Sequence, residues 1–123
     1  MKALIIDDSR AMRRMLTAFV SKNVKCEAVE AEDGIHALEA LERYAPFDFA
    51  LVDWDMPRMS GLDFVRAVRA DARWDDLKLM MVTARNEGED VVSALEVGAN
   101  DFLMKPLSEA MVVEKLRILG IVE

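Results

Sequence analysis

The sequence predicts an α/β domain, a five-stranded parallel sheet doubly wound with helices on both faces. Three observations predict it. Short apolar runs alternate with amphipathic stretches five times over, the runs mostly lack the polar alternation of a sheet with one wet face, and turn residues bound them. Strands that alternate with helices imply right-handed crossovers and a parallel sheet. The residues leave the strand order open. The common solution for five strands is 2-1-3-4-5, the flavodoxin-like arrangement.

The elements follow in order. Ala3 to Ile6 form the first strand, which ends in Asp7 and Asp8. Met12, Met15, Leu16 and Phe19 then recur at i, i+3, i+4 and i+7, a helical stripe with Arg13 and Arg14 on its other side. The second strand covers roughly Lys25 to Glu30, and the second helix is built on Ile35, Leu38 and Leu41. Phe47 to Val52 form the third strand, which ends in Asp53, followed by Trp54 and Asp55. Pro57 and Gly61 punctuate the approach to a third helix on Leu62, Val65 and Val68. Leu79 to Val82 form the fourth strand and end at Thr83. Val91, Val92 and Leu95 are the expected inward stripe of the fourth helix, and Gly98 stands where a left-handed cap is wanted. Asp101 to Met104 form the fifth strand, Lys105-Pro106 follow it, and Val112, Leu116 and Leu119 carry the last helix.

No internal repeat, low-complexity tract or linker interrupts the pattern, so one domain is expected over residues 1–123. A chain of this length buries about two-thirds of the surface its unfolded form exposes and needs no disulfide. Cys26 is the only cysteine and is expected to be buried as a small apolar side chain. His36, the only histidine, lacks the company of a zinc site and is expected on a helix surface. The nine methionines are expected to fill the core. A net charge of −7 lacks the basic footprint of a direct nucleic-acid binder. No apolar run approaches the roughly 20 residues of a membrane span, and Met1 to Asp8 do not read as a signal peptide. A cytoplasmic location without membrane insertion is therefore the default expectation.

In an open parallel sheet, ligands bind beyond the carboxyl ends of the strands. Those ends carry Asp7 and Asp8, Asp53 with Trp54 and Asp55, Thr83, and Lys105. At about 4 Å and an effective dielectric of 20, each pair of like charges there costs on the order of 4 kcal/mol. A hard divalent cation offsets that repulsion, and Mg²⁺ suits oxygen ligands and commonly bridges a carboxylate to a phosphate. Lys105 adds a point charge and Thr83 a hydroxyl donor, which together make a pocket for a phosphoryl group. Asp53 is its natural nucleophile, since a carboxylate accepts phosphate as an acyl phosphate. Singly, each residue has an ordinary explanation as a cap, a strand residue or a loop. Jointly, at four strand ends, they do not.

These residues resemble the receiver domains of bacterial response regulators, over essentially the whole chain. The resemblance rests on Leu4-Ile-Ile-Asp-Asp-Ser9, Ala31-Glu-Asp-Gly34, Asp53-Trp-Asp-Met-Pro-Arg-Met-Ser-Gly61, Val82-Thr-Ala84 and Gly98-Ala-Asn-Asp-Phe-Leu-Met-Lys-Pro106. The run Asp7-Asp-Ser-Arg-Ala-Met-Arg-Arg-Met15 is most similar to the chemotaxis-type, single-domain members. The resemblance implies that Asp53 accepts the phosphoryl group from a histidine kinase. It implies that Asp8 binds Mg²⁺ directly, Asp7 through water, and Asp55 through its backbone carbonyl. Thr83 and Lys105 then hold the phosphoryl oxygens, Lys105-Pro106 is cis, and Thr83 and Phe102 form the switch. The reshaped surface comprises helix four, strand five and helix five, where a protein target docks. Such a domain acts chemically only on itself.

Two positions depart from the commonest pattern. Asp55 and Arg85 are expected to flank the pocket mouth and to pair across it, either as a gate against water or a phosphatase or as a weak exposed ion pair. Phe102 replaces the frequent tyrosine, so any switch there is a packing event. Trp54 is expected on the pocket rim. Asp53-Trp-Asp55 also fits an aspartate-nucleophile phosphatase of the haloacid-dehalogenase type, but there the nucleophile closes the first strand and the metal acids come last. A phosphate sink or relay without an output surface is a further reading. The start at Met1 and the lack of a linker after the last helix favour a stand-alone protein over a domain cut from a larger regulator.

Overall fold

Side chains start four of the five helices. The Ser9 hydroxyl accepts from the Met12 N–H, the Asp33 carboxylate from His36, Ser60 from Asp63 and Ser108 from Met111, each satisfying one orphan donor of a helix's first turn. The helices are α1 Arg10–Asn23, α2 Gly34–Tyr44, α3 Gly61–Arg69, α4 Gly88–Val97 and α5 Glu109–Ile118. Alternating with them are β1 Lys2–Ile6, β2 Glu27–Ala31, β3 Phe49–Asp53, β4 Lys78–Thr83 and β5 Asp101–Met104. These elements come from a computed structural model that describes residues 1–85 and 87–121; the expected domain bound at residue 123 lies outside the described residues. A short 3-10 turn at Ala72–Trp74, which the apolar pattern does not announce, leads from α3 into β4.

The strands pair in parallel in the order β2-β1-β3-β4-β5, the common solution expected for five strands. One face of the sheet packs Leu4, Ile6, Val52 and Met81 against α2, α3 and α4; the other packs Ile5, Leu51, Met80 and Val82 against α1 and α5. All five residues of β3, at the centre, are buried, which explains the unbroken apolar run from Phe49 to Val52.

Four expectations need correction. The second strand is only partly covered: it is an edge that packs Val29 into one core and Ala28 into the other but leaves Glu27 and Glu30 exposed. The stripe assigned to the interior of α4 is turned outward. Val92 and Leu95 are 51% and 45% exposed, whereas Ala94 is buried and Val91 half-buried, because α4 covers the short edge strand β5 and packs laterally on α3. Among the methionines only Met80 and Met81 are fully buried, and Met1, Met104 and Met111 are exposed. Cys26 is half-buried at the rim of the second core. His36 does lie on the surface of α2, but it is not without company: its Nδ1 is 3.2 Å from Glu32, and one ligand atom from each of Glu32, Asp33 and His36 lies within 4.8 Å of the others.

Gly98 ends α4 with φ +120, and a Cβ there would lie 2.4 Å from the Arg69 side chain. That arginine donates to the carbonyls of Gly98, Trp74 and Leu77 and to Asn100 Oδ1, tying α3, the 3-10 turn and the approach to β5 together.

Candidate functional site

After β1 the chain crosses to α1 on one face, and after β3 to α3 on the other. The adjacent carboxyl ends of β1 and β3 therefore frame a crevice. Asp7 and Asp53 face each other there, 1% and 5% exposed, with the exposed Asp8 beside them. One carboxylate oxygen from each lies within 4.8 Å of the others. Asp7 is fixed at its own backbone: its N–H donates to the Ala31 carbonyl, and its Oδ1 accepts from the Ser9 N–H at 2.8 Å.

Lys105 reaches into this group. Its Nζ lies 3.4 Å from Asp7 Oδ2 and 3.4 Å from Asp53 Oδ1. The Lys105 N–H also donates to the Thr83 carbonyl, so the β4–β5 pairing sets the lysine beside Thr83. Thr83 is fully buried, and its hydroxyl accepts from the Arg85 N–H at 3.1 Å. Lys105-Pro106 is cis.

Burial, and next the charge of Asp7, push the Asp53 carboxyl up to about 6 in spite of Lys105. Burial likewise raises Asp7. Burial works against the Lys105 ammonium, but Asp53 and Asp7 outweigh it and hold its pKa above the usual lysine value. The crevice therefore holds more negative charge than one ammonium compensates. Hard oxygens, two of the three carboxylates buried and a charge deficit are the donor chemistry of a divalent ion such as Mg²⁺. The residues present fit it.

The loop after Asp53 closes tightly. The Gly61 N–H donates to the Trp54 carbonyl at 2.8 Å, and a Cβ on Gly61 would lie 2.1 Å from the Asp53 carbonyl oxygen. Only glycine fits that approach. The Asp55 carboxylate is exposed and stands apart from the acidic trio. It accepts instead from Arg85 Nη2 at 2.7 Å, so the expected pair across the mouth is formed. The Arg85 guanidinium also lies 4.8 Å above the Trp54 ring and 3.8 Å from Asp90 on α4. Trp54 itself is buried, and Arg85 rather than the indole forms the rim. Phe102 is buried too, and meets Trp54 edge to face at 6.3 Å between centroids.

Sequence reasoning missed two arginines. Arg13, expected on the outer side of α1, donates to the Asp7 carbonyl at 2.7 Å and to Glu30 at 3.2 Å. Arg58 donates through Nε at 2.8 Å and Nη2 at 2.5 Å to Asp33. Glu30 and Asp33 lie 17 and 25 residues from their arginines, so no local pattern announces these ion pairs. The Asp-Gly at the start of α2 does mark Asp33 as a cap.

A family profile for the response regulator receiver domain matches residues 3–117. Chemotaxis protein CheY1 of Helicobacter pylori is 36% identical over 118 residues, which are 96% of this chain and 95% of the relative. Chemotaxis protein CheY of Pseudomonas aeruginosa is 39% identical over 116 residues, 94% of this chain and 93% of the relative. Among solved structures, chemotaxis protein CheY4 of Vibrio cholerae superposes with a TM-score of 0.88 at 31% identity, covering 95% of this chain and 96% of that one.

Proposed function

The chain belongs to the family of response regulator receiver domains, and on that premise we propose that it is a two-component signalling switch across residues 1–123, phosphorylated on Asp53 by a histidine kinase. The observation that carries this reading is the buried Asp7–Asp53 pair with Lys105 3.4 Å from each.

A carboxylate oxygen of Asp53 attacks the phosphorus of the kinase's phosphohistidine, the phosphorus–nitrogen bond breaks, and the imidazole leaves with that electron pair. With a pKa of about 6, Asp53 is largely ionised at neutral pH. Asp8, Asp53 and the Asp55 carbonyl, with Asp7 beside them, would hold Mg²⁺, which would supply charge neutralisation for the acids and for the incoming phosphoryl oxygens. Lys105 shifts its contact from Asp53 to a phosphoryl oxygen, and the Thr83 hydroxyl donates to another. The product is an aspartyl phosphate, which water later returns to carboxylate and inorganic phosphate. The protein thus acts on itself and turns over no outside substrate.

Thr83 and Phe102 pass the change outward. Thr83 moves toward the phosphoryl group, and Phe102 repacks against Trp54 beneath the β4–α4 loop. The target surface is α4, β5 and α5, where Val92, Leu95, Met104 and Met111 are exposed apolar side chains on an acidic molecule. These support docking of another protein in the cytoplasm rather than binding of nucleic acid. No helix among the described residues is long and apolar enough to cross a membrane.

Intact-mass measurement after incubation with acetyl phosphate and Mg²⁺ tests the reading. A single phosphoryl adduct is expected, absent in Asp53→Asn and absent with EDTA. An adduct that survives in Asp53→Asn would overturn the assignment of the acceptor.

A further inference from the structure

We propose that Arg58 is a positioning residue for the metal site, latching the loop that carries the Asp55 carbonyl onto the start of α2. The inference rests on the Mg²⁺ reading above and goes beyond it, because neither Arg58 nor Asp33 belongs to the acidic trio.

The loop from Trp54 to Ser60 is held at its far end by Gly61, whose N–H closes on the Trp54 carbonyl. Between those points it has no strand or helix to stiffen it, and the Met59 N–H turns back to the Pro57 carbonyl at 2.7 Å. Arg58, at the tip, adopts φ 66, the left-handed conformation that a non-glycine residue takes only when its surroundings require it. The Met59 N–H on the Pro57 carbonyl makes Arg58 the centre of a three-residue turn, which sets this φ. From that turn the guanidinium reaches Asp33, which receives two charge-assisted hydrogen bonds on one oxygen. Asp33 is 2% exposed, and its other oxygen caps α2 through the His36 N–H. Burial disfavours the charge on Asp33, yet the His36 N–H and Arg58 together hold its carboxyl below the usual carboxylate range.

A second contact lies alongside. A Cβ on Gly34 would stand 2.7 Å from the Met59 side chain, so Met59 seats against the first residue of α2. Arg58 and Met59 thus clamp the loop tip to a helix terminus that follows the edge strand β2. The clamp spans a cleft of about 370 Å³ whose walls include Asp8, Pro57 and Arg58. A carbonyl ligand has only its backbone to place it. Three residues before the latch, the Asp55 backbone is set by where Arg58 is tied. Interactions that orient a ligand without touching the metal commonly change metal affinity by tenfold or more.

The test is a Mg²⁺ titration read by Trp54 emission in a Trp74→Phe background, with hydrogen exchange at the Gly61 N–H measured on metal-free protein. Arg58→Asn removes the guanidinium but suits a left-handed backbone; Asp33→Asn removes the charge but keeps a good helix cap. Each is expected to weaken Mg²⁺ binding by roughly tenfold and to speed Gly61 exchange. The double variant is expected to be no worse than either single one, and Arg58→Lys to recover part of the affinity. A merely structural role would lower thermal stability and leave Mg²⁺ affinity within twofold of the unsubstituted protein, and that result overturns the proposal. Absence of Mg²⁺ binding by the unsubstituted protein overturns the metal reading itself, and this inference with it; unchanged affinity in the variants overturns the latch alone.

Discussion

Asp53 is under two opposed demands. On the proposed function it must be ionised to attack phosphorus, yet burial beside Asp7 penalises its charge and lifts its pKa to about 6. An acid whose folded pKa lies above its unfolded value binds its proton more tightly in the native state. Metal-free stability should therefore fall as pH rises from about 4 to about 6 and level off above that, by on the order of 3 kcal/mol for this group. Urea denaturation across that range in EDTA, run beside Asp53→Asn, isolates this group from carboxylates such as Asp33 that act with the opposite sign; identical profiles would count against the buried charge. By the same logic Asp53→Asn should be more stable than the unsubstituted protein at pH 7 without metal, although it cannot be phosphorylated. Arg85 makes a different prediction. Its contacts with Asp55 and Trp54 lie across the pocket mouth, and exposed pairs contribute about 0–1 kcal/mol. If they restrict access to the aspartyl phosphate, Arg85→Ala should shed phosphate up to about fivefold faster with little change in folding. An unchanged rate would reduce the pair to a surface ornament.

At the scale of elements, most of the architecture was legible in the sequence. Apolar runs placed the strands inside the sheet, since a strand buried on both faces has to be apolar throughout, whereas the edge strand β2 carries Glu27 and Glu30 among its apolar residues. The strand ends placed Asp7, Asp53, Thr83 and Lys105, because chain order in a parallel sheet brings all carboxyl ends to one side. What stayed hidden depends on neighbours remote in sequence. Arg69 and Gly98 are 29 residues apart and Arg58 and Asp33 are 25 apart, and no period of 2 or 3.6 reports such partners. The inward line of α4 was misread for a related reason: with an edge strand beneath it, the helix has too little sheet to cover its whole apolar stripe. That helix also starts at Glu87 without a side-chain cap bond. Replacing Glu87 with Ser should stabilise α4 by about 0.5–1 kcal/mol, seen as slower amide exchange in that helix. Gly61→Ala should do the reverse to the loop it closes. A Cβ 2.1 Å from a backbone oxygen cannot be relieved by a side-chain rotation, so destabilisation of at least the 1–3 kcal/mol usual for overpacking is expected from denaturant midpoints.

For the whole molecule, the acidic crevice links metal binding to folding. A ligand that binds only the native state stabilises by mass action, by about 1.4 kcal/mol at ten times its dissociation constant. Mg²⁺ should thus raise the melting temperature by several degrees, and Asp8→Ala should lose that gain. The phosphoryl pocket also has a history along the chain. Lys105 lies 98 residues from Asp7 and 52 from Asp53, and its strand is the last and outermost of the sheet. During synthesis at about 5–20 residues per second, roughly 3–10 s separate the making of the acceptor from the making of the lysine that partners it. Throughout that interval the chain carries an aspartate with no pocket around it. On the proposed function, a kinase would meet a competent acceptor only once translation has passed the final strand and the sheet has formed, and a stalled or clipped polypeptide would be silent to the signal without any separate inspection.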